Sequence, residues 1–466
     1  MTKQTNKWLV VLAVLTGTFT VVLNNSMLNP VLPKFQEIFN TDAVGTGWIL
    51  TIFMIAMGMV MPLTGYLGDR FGKKKVYIAG LILFVFGSVM GALSSTLSLV
   101  IIARAVQGIA GGLMMPNAMA LIFQVFPKNE RGFAVGIYGI AVMIAPAIGP
   151  TLGGIISIHF DWFYLFLINI PFAILSLIFS IKYLVTTEPN RSVKFDTIGF
   201  ILVTIGIGSL LYVLGQGRDI EHFANFTNIS LIIIGIIALI IFIKYEVKQE
   251  QPLLNLSVFK IKTFRYSMYV TVAASIGLFS ALFLLPYLLQ DVYGYSEIET
   301  GLIFLPSAIA SGIFMTIGGK ILDVKGPKYV VPIGILIITV ASVLFGFVNI
   351  TTGFWILLII NTLHGFGLGF GNMPATTAGM NAIPEHLVAQ GSAMNNLIRQ
   401  IASSVAIVFF SIYFELRRGQ MMLNESISYQ EASLQAINES FIISGVLVII
   451  SIPFAYKMKG VEEERS

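Results

Sequence analysis

Apolar runs of nearly membrane-spanning length recur along this chain and leave it few folds. Ile198 to Leu214, Leu231 to Ile243 and Phe441 to Phe454 carry no charged residue. Several such runs approach the ~20 residues that cross a ~30 Å hydrocarbon core as a helix. Only 11% of the 466 residues are charged and 56% are hydrophobic, whereas a soluble domain carries roughly 25% charge. The chain therefore reads as an all-α polytopic membrane protein. Its charged start and first apolar run lack a small-residue cleavage site and continue into Asn24, Asn25 and Asn29. That segment reads as a first span and not as a removed signal.

Fourteen spans are expected, near 8–29, 46–66, 76–95, 97–121, 131–156, 162–183, 197–215, 228–246, 265–289, 299–319, 329–349, 353–379, 389–415 and 437–457. Charge placement tests the count, because one added or missing helix inverts every later loop. With both termini in the cytoplasm, 22 of the 28 Lys and Arg fall in inside segments. Lys34, Arg218, Arg417 and Arg418 fall outside, and Arg104 and Arg399 lie within spans. The same asymmetry accounts for the net charge of +5 without a nucleic-acid partner. The chain has no cysteine, which removes disulfides and thiolate metal sites from consideration. The exterior segment 416–436 is polar and reads as a mobile loop.

A repeat divides the chain. Gly65-Tyr-Leu-Gly-Asp69-Arg70-Phe-Gly72-Lys-Lys-Lys is echoed by Gly319-Lys-Ile-Leu-Asp323-Val-Lys-Gly326-Pro-Lys. Each joins two apolar segments, as expected of two related helical bundles with the substrate site between them. Spans 1–6 and 9–14 would be the repeats and spans 7 and 8 an inserted pair. The expected domains are 1–185, 186–262 and 263–466.

Several residues carry possible chemistry. At the first turn, Asp69 is placed to cap span 3 and to pair with Arg70 or a cation of the other bundle; Asp323 is its counterpart. Arg104 lies roughly 10 Å below the outer surface by helix rise, level with Asn24 and Asn25. A mid-membrane arginine costs at least ~2.5–3.5 kcal/mol to insert, so it should face a cavity or partners. In span 13, Ser392, Asn396, Arg399 and Ser403 form one polar stripe, flanked by Asn395 and Gln400. Thr18, Asn25 and Asn29 form a similar stripe in span 1. Both read as lining an aqueous cavity, with interhelical packing as the alternative. His364, in the glycine-rich span 12, is a candidate proton carrier. Phe279, Phe283 and Tyr287 could touch an apolar ligand, though with 36 Phe in the chain membrane packing is the default.

None of the 23 acidic residues sits deep within an expected span. A proton antiporter needs a group that changes charge as it is exposed to each side. A terminal carboxylate, His364 or the substrate's own proton is left for that task, or else coupling is absent. Arg104 and Arg399 make the cavity net positive, so neutral, weakly cationic or anionic amphiphiles fit better than dications.

In order along the chain stand Leu23-Asn24-Asn25-Ser-Met-Leu-Asn29-Pro-Val-Leu-Pro33, Trp48, the Asp69 turn and Arg104-Ala-Val-Gln107-Gly108. Pro146-Ala-Ile-Gly149-Pro150-Thr-Leu-Gly153-Gly154 follows, then Asn169-Ile-Pro171, Gly294 and Leu305-Pro306. Together these resemble the major facilitator superfamily, and within it the fourteen-helix drug:proton antiporter branch, over almost the whole chain. The resemblance implies a major facilitator fold, two six-helix bundles plus two inserted helices. It implies a gating role for Gly65, Asp69, Arg70, Gly72 and Asp323, and a proton relay through Arg104 and Gln107. It also implies an antiporter motif at Pro146, Gly149, Pro150, Gly153 and Gly154 that shapes and seals the outer half of the bundle interface. The implied activity is secondary active efflux of amphipathic drugs in exchange for protons. The protein would be a monomer in a bacterial cytoplasmic membrane, without cofactor or metal. Two departures stand out: Asn24 where the branch usually has an aspartate, and Phe163, after Trp162, where it usually has an arginine.

A dedicated exporter of an endogenous lipid or metabolite is the alternative transport reading. A membrane enzyme or sensor finds no support, since the chain has neither an HExxH zinc motif nor a Walker loop.

Overall fold

A computed structural model describes residues 6–41, 43–216, 220–424 and 427–460. Arg218 lies outside them. The spanning elements are α1 (Lys7–Leu28), α2 (Ala43–Val60 and Leu63–Phe71), α3 (Lys73–Ala92), α4 (Leu97–Val125) and α5 (Arg131–His159). Next come α6 (Asn169–Tyr183), α7 (Thr197–Gln216), α8 (Phe226–Glu246), α9 (Lys262–Pro286) and α10 (Glu297–Lys325). Last are α11 (Val331–Phe345), α12 (Phe354–Ala382), α13 (Val388–Asn424) and α14 (Tyr429–Ile449). Among the described residues thirteen helices are long and apolar enough to cross a membrane, and fourteen if α2, bent by 55° between Val60 and Leu63, counts as one span. Pro62 sits in that break, where a missing backbone donor is tolerated.

Packing repeats between the two halves. In the first, α1 packs on α5, α6 and α4, and α4 packs on α2 and α3. In the second, α9 packs on α13, α14 and α12, and α12 packs on α10 and α11. The halves meet chiefly where α5 lies along α10, and also where α13 crosses α4 and α2. The inserted α7 rests on α2 and α13, with α8 outside it. Ile233, Ile234, Ile236, Ile237, Ile240 and Ile241 of α8 are exposed, an apolar face suited to lipid and to nothing aqueous.

Both glycine turns do what their spacing requires. Gly72 ends α2 at φ 95° and Gly326 ends α10 at φ 86°, a region open to glycine at little cost. Lys7 pairs with Glu130 beside the start of α5, and Gly460 lies over Gly326. Both described chain ends thus lie at the end of the molecule that carries the turns. The expected loop at 416–436 is instead helical on both sides. The α13 helix runs on to Asn424, and α14 begins at Tyr429 behind a Ser428–Glu431 capping box. Polar helix turns beyond the apolar run keep their backbone bonds, so polarity alone did not mark a loop.

Candidate functional site

The first cluster gathers on Arg104, which is fully buried although it is an arginine. Its Nε donates to the Ile49 carbonyl (2.9 Å), one Nη to Gln107 (3.0 Å) and to Asn24, and the other Nη to Asn25 (2.8 Å). The guanidinium also lies 4.2 Å from the Phe53 ring centroid, a cation–π contact. Gln107 passes the chain on to Ser88 at 2.9 Å. All these partners are neutral, so α1, α2, α3 and α4 surround a charge with dipoles alone. The Nδ2 of Asn24 is buried without a partner. Gly108 permits this crossing, since a Cβ there would collide with the Phe53 carbonyl.

The second cluster joins the halves at the glycine-turn end. Asp323 accepts from the backbone N–H groups of Gly132 (2.8 Å) and Phe133 (2.9 Å), the first turn of α5. A carboxylate there satisfies two orphan donors and complements the helix dipole. Gly319 and Gly132 are in backbone contact, so neither tolerates a side chain. Arg131, 2% exposed, donates to the Phe126 and Phe123 carbonyls and to Glu385 beyond α12 at 2.8 Å. Lys128 donates to the Asn381 carbonyl at 3.0 Å.

Asp69 does not mirror Asp323 in full. Gly65 packs against Gln390 at the start of α13, the symmetry-related contact. Yet the first N–H of α3, that of Lys73, donates to Thr187 Oγ1 at 3.0 Å and not to Asp69, and among the described residues the Asp69 carboxylate bonds neither Arg70 nor another cation. Asp69 contributes its backbone carbonyl, which accepts from Asn190 at 2.9 Å. The expected cap and ion pair are therefore not formed.

The third cluster sits at mid-depth. Arg399 is partly open, lies beside Tyr138 of α5, and bonds Asn396. Thr18 and Tyr138 are hydrogen-bonded at 3.1 Å. Gln400 donates across the halves to the Met54 carbonyl at 2.8 Å. The rest of the expected stripe is buried: Ser392 and Ser403 bond within α13 and Asn395 bonds Thr271 at 3.1 Å.

Other expected site residues fall elsewhere. His364 is buried in the second half against Gly277 of α9, apart from Arg104 and Gln107, so the three form no single relay. Asn29 is exposed in a short turn after α1 and lines no mid-depth cavity. Gly149 and Gly153 pack on Ser26 and Met27 of α1, within the first half. Pro146 is partly buried, Pro150 is exposed and Gly154 meets nothing within 4 Å. Gly149 and Gly153 thus shape the first bundle, Thr151 of the same segment lies near Gly301 of α10, and α5 faces α10 further through Gly132, Gly136 and Gly139. Phe283, Tyr287 and Phe414 are in ring contact one after the next at tilted angles, and Phe279 packs on the same core cluster.

Arg131, Asn381 and Tyr138 escaped the sequence reading, and Gln400 figured there only as a flank of the α13 stripe. Arg131 carried one usable signal: a cation at a helix N-terminus opposes the dipole and so calls for an acceptor.

The model of the Major Facilitator Superfamily matches residues 14–407. An uncharacterized MFS-type transporter of Bacillus subtilis, YcnB, is 31% identical over 98% of this chain and 96% of its own. The lincomycin resistance protein LmrB of Bacillus subtilis is 28% identical over 97% of this chain and 96% of its own. The multidrug export protein EmrB of Escherichia coli K12 is 28% identical over 90% of this chain and 83% of its own. Among solved structures, the human organic anion transporter MFSD10 superposes with a TM-score of 0.68 at 16% identity, covering 97% of this chain and 99% of that one. The last likeness bears on the fold alone.

Proposed function

Because the chain belongs to the major facilitator superfamily, and is thus a multi-pass membrane transporter and not an enzyme, we propose that it exports amphipathic small molecules in exchange for protons. In this reading it works as a monomer in a bacterial cytoplasmic membrane with both termini inside. Its glycine-turn end then faces the cytoplasm, and the two bundles rock about the contact of α5 with α10.

One observation carries the proposal. Cross-bundle hydrogen bonds gather at mid-depth and at the glycine-turn end, through Gln400, Asp323, Arg131 and Lys128. At the opposite end Lys34, Arg417 and Arg418 bond within their own bundles. Polar contacts holding one end, with a partly open arginine above them, support an outward-facing state of an alternating-access cycle. The lincomycin and multidrug exporters among the relatives support the direction of transport and the substrate class.

Arg399 governs substrate charge in this reading. Among the described residues its side chain hydrogen-bonds a neutral amide alone, so a ligand with an anionic or strongly accepting group gains most by approaching it. Arg104 holds the coupling region of the first bundle together.

Dye accumulation in inverted membrane vesicles under an imposed pH gradient tests the proposal. Gradient-driven uptake, lost in Arg104→Ala, is the expected result. Uptake indifferent to the gradient would overturn proton exchange.

A further inference from the structure

A second charged cluster lies away from the bundle interface, at the glycine-turn end of the inserted helices. Asp196 precedes α7 as its cap: Oδ1 accepts from the Gly199 N–H at 2.9 Å and from the Tyr245 hydroxyl at 3.2 Å. Glu246 closes α8 and is 2% exposed. Its Oε1 accepts from the Leu254 N–H at 2.7 Å. Each acid thus has one oxygen supplied with donors.

The other two oxygens have none. Asp196 Oδ2 and Glu246 Oε2 are both buried without a hydrogen-bond partner. Both face the bare Cα of Gly199, where a methyl group would meet the two at once. That methyl group would lie 2.3 Å from the Asp196 oxygen and 3.1 Å from the Glu246 oxygen, so the two carboxyl groups are close neighbours. Lys194, Lys248, Glu250 and Tyr245 line the opening beside them. Neither ammonium forms an ion pair with either acid among the described residues. Two carboxylate oxygens buried side by side repel as like charges when both groups are ionised, and each of these lacks a donor. One proton between Oδ2 and Oε2 supplies the missing donor and removes one charge, and it belongs to the pair and not to either residue.

We infer that Asp196 and Glu246 form a proton-binding site that clasps the connector between α8 and α9 to the inserted helices. The clasp reaches the bundle interface through a short path. Leu253 and Leu254 are buried at 2% and 3% exposure. The next N–H, of Asn255, donates to Gln390 Oε1 at 2.8 Å, and Gln390 is the side chain packed on Gly65 of the first glycine turn. With the proton gone, two like charges sit across Gly199 and push the end of α8 from the start of α7. The connector then loosens beside the turn at which the bundles meet. The site responds to pH at that end whether or not the protein exports drugs.

Infrared difference spectroscopy of the full chain in nanodiscs, titrated with pH and without substrate, tests this. At neutral pH a carbonyl-stretch band of a protonated carboxylic acid is expected, disappearing on alkalinisation. Glu246→Gln and Asp196→Asn each place an amide donor where the proton sat, so each keeps the clasp and loses the band. Hydrogen–deuterium exchange reads the consequence independently. Residues 247–262 should lose protection at alkaline pH in the wild type, beyond the intrinsic rate change, and keep it in Glu246→Gln. A band that survives both substitutions, or that is absent from the wild type at neutral pH, overturns the inference. So does loss of the wild-type band on adding magnesium, which would assign the pair to a metal ion.

Discussion

At the residue scale, Arg104 shows how a charge survives in a membrane bundle without a counter-charge. Four oxygens from four residues accept from it, and an aromatic face closes the remaining side. Arg104→Ala leaves those acceptors buried and unpaired, at about 1–3 kcal/mol for each that finds no water. A clear fall in melting temperature is expected in detergent. Arg104→Lys keeps the charge but concentrates three donors on one nitrogen, so an intermediate melting temperature is expected. Asn24→Asp replaces an unpartnered amide nitrogen with a second acceptor and brings a negative charge beside the guanidinium. This variant should melt above the wild type at neutral pH and lose that gain as the aspartate is protonated. A variant no more stable than the wild type at any pH would mean that the dipoles already match what a carboxylate offers.

At the scale of elements, one helix does two jobs on two faces. The 146–154 side of α5 packs Gly149 and Gly153 on α1, and its other side brings Gly132, Gly136 and Gly139 against α10 and α12. A Cβ at Gly136 would lie 2.6 Å from the Met315 carbonyl, whereas one at Gly154 meets nothing within 4 Å. Gly136→Leu should therefore cost roughly 1–3 kcal/mol through overpacking and lower transport together with melting temperature. Gly154→Leu should leave both near wild type. Equal effects would mean that the glycines serve the flexibility of α5 and not its close contacts. The glycine spacing announced close packing, but not which neighbour each glycine meets. Helix–helix contacts of small residues look alike in sequence whether they lie within a bundle or between two.

At the scale of the molecule, the contacts of Asp323, Arg131 and Lys128 with the opposite half define a closure at one end. The chain has no native cysteine, so a pair introduced at Lys128 and Glu385 can be labelled without background. A short bifunctional thiol reagent should link them in substrate-free protein and stop transport, and reduction of a cleavable reagent should restore it. Failure to link in the resting protein would mean that this closure is not its dominant state.

The sequence by itself determined the class, a count of spans that the structure puts at thirteen or fourteen, and the two-fold plan. Apolar length, cation placement and a repeated glycine turn act locally and need no knowledge of neighbours. It also placed Arg104, Asn24 and Asn25 at one depth, because helix rise converts residue number into depth. Rotation about each helix axis, and the partner found across it, were decided only by the tertiary structure. That is why Asp323 and not Asp69 grips a helix end, and why His364 lies in a bundle core. The same holds for Asp196 and Glu246, fifty residues apart. Each alone reads as a polar helix end; only when α7 and α8 pack side by side do the two carboxyl groups meet.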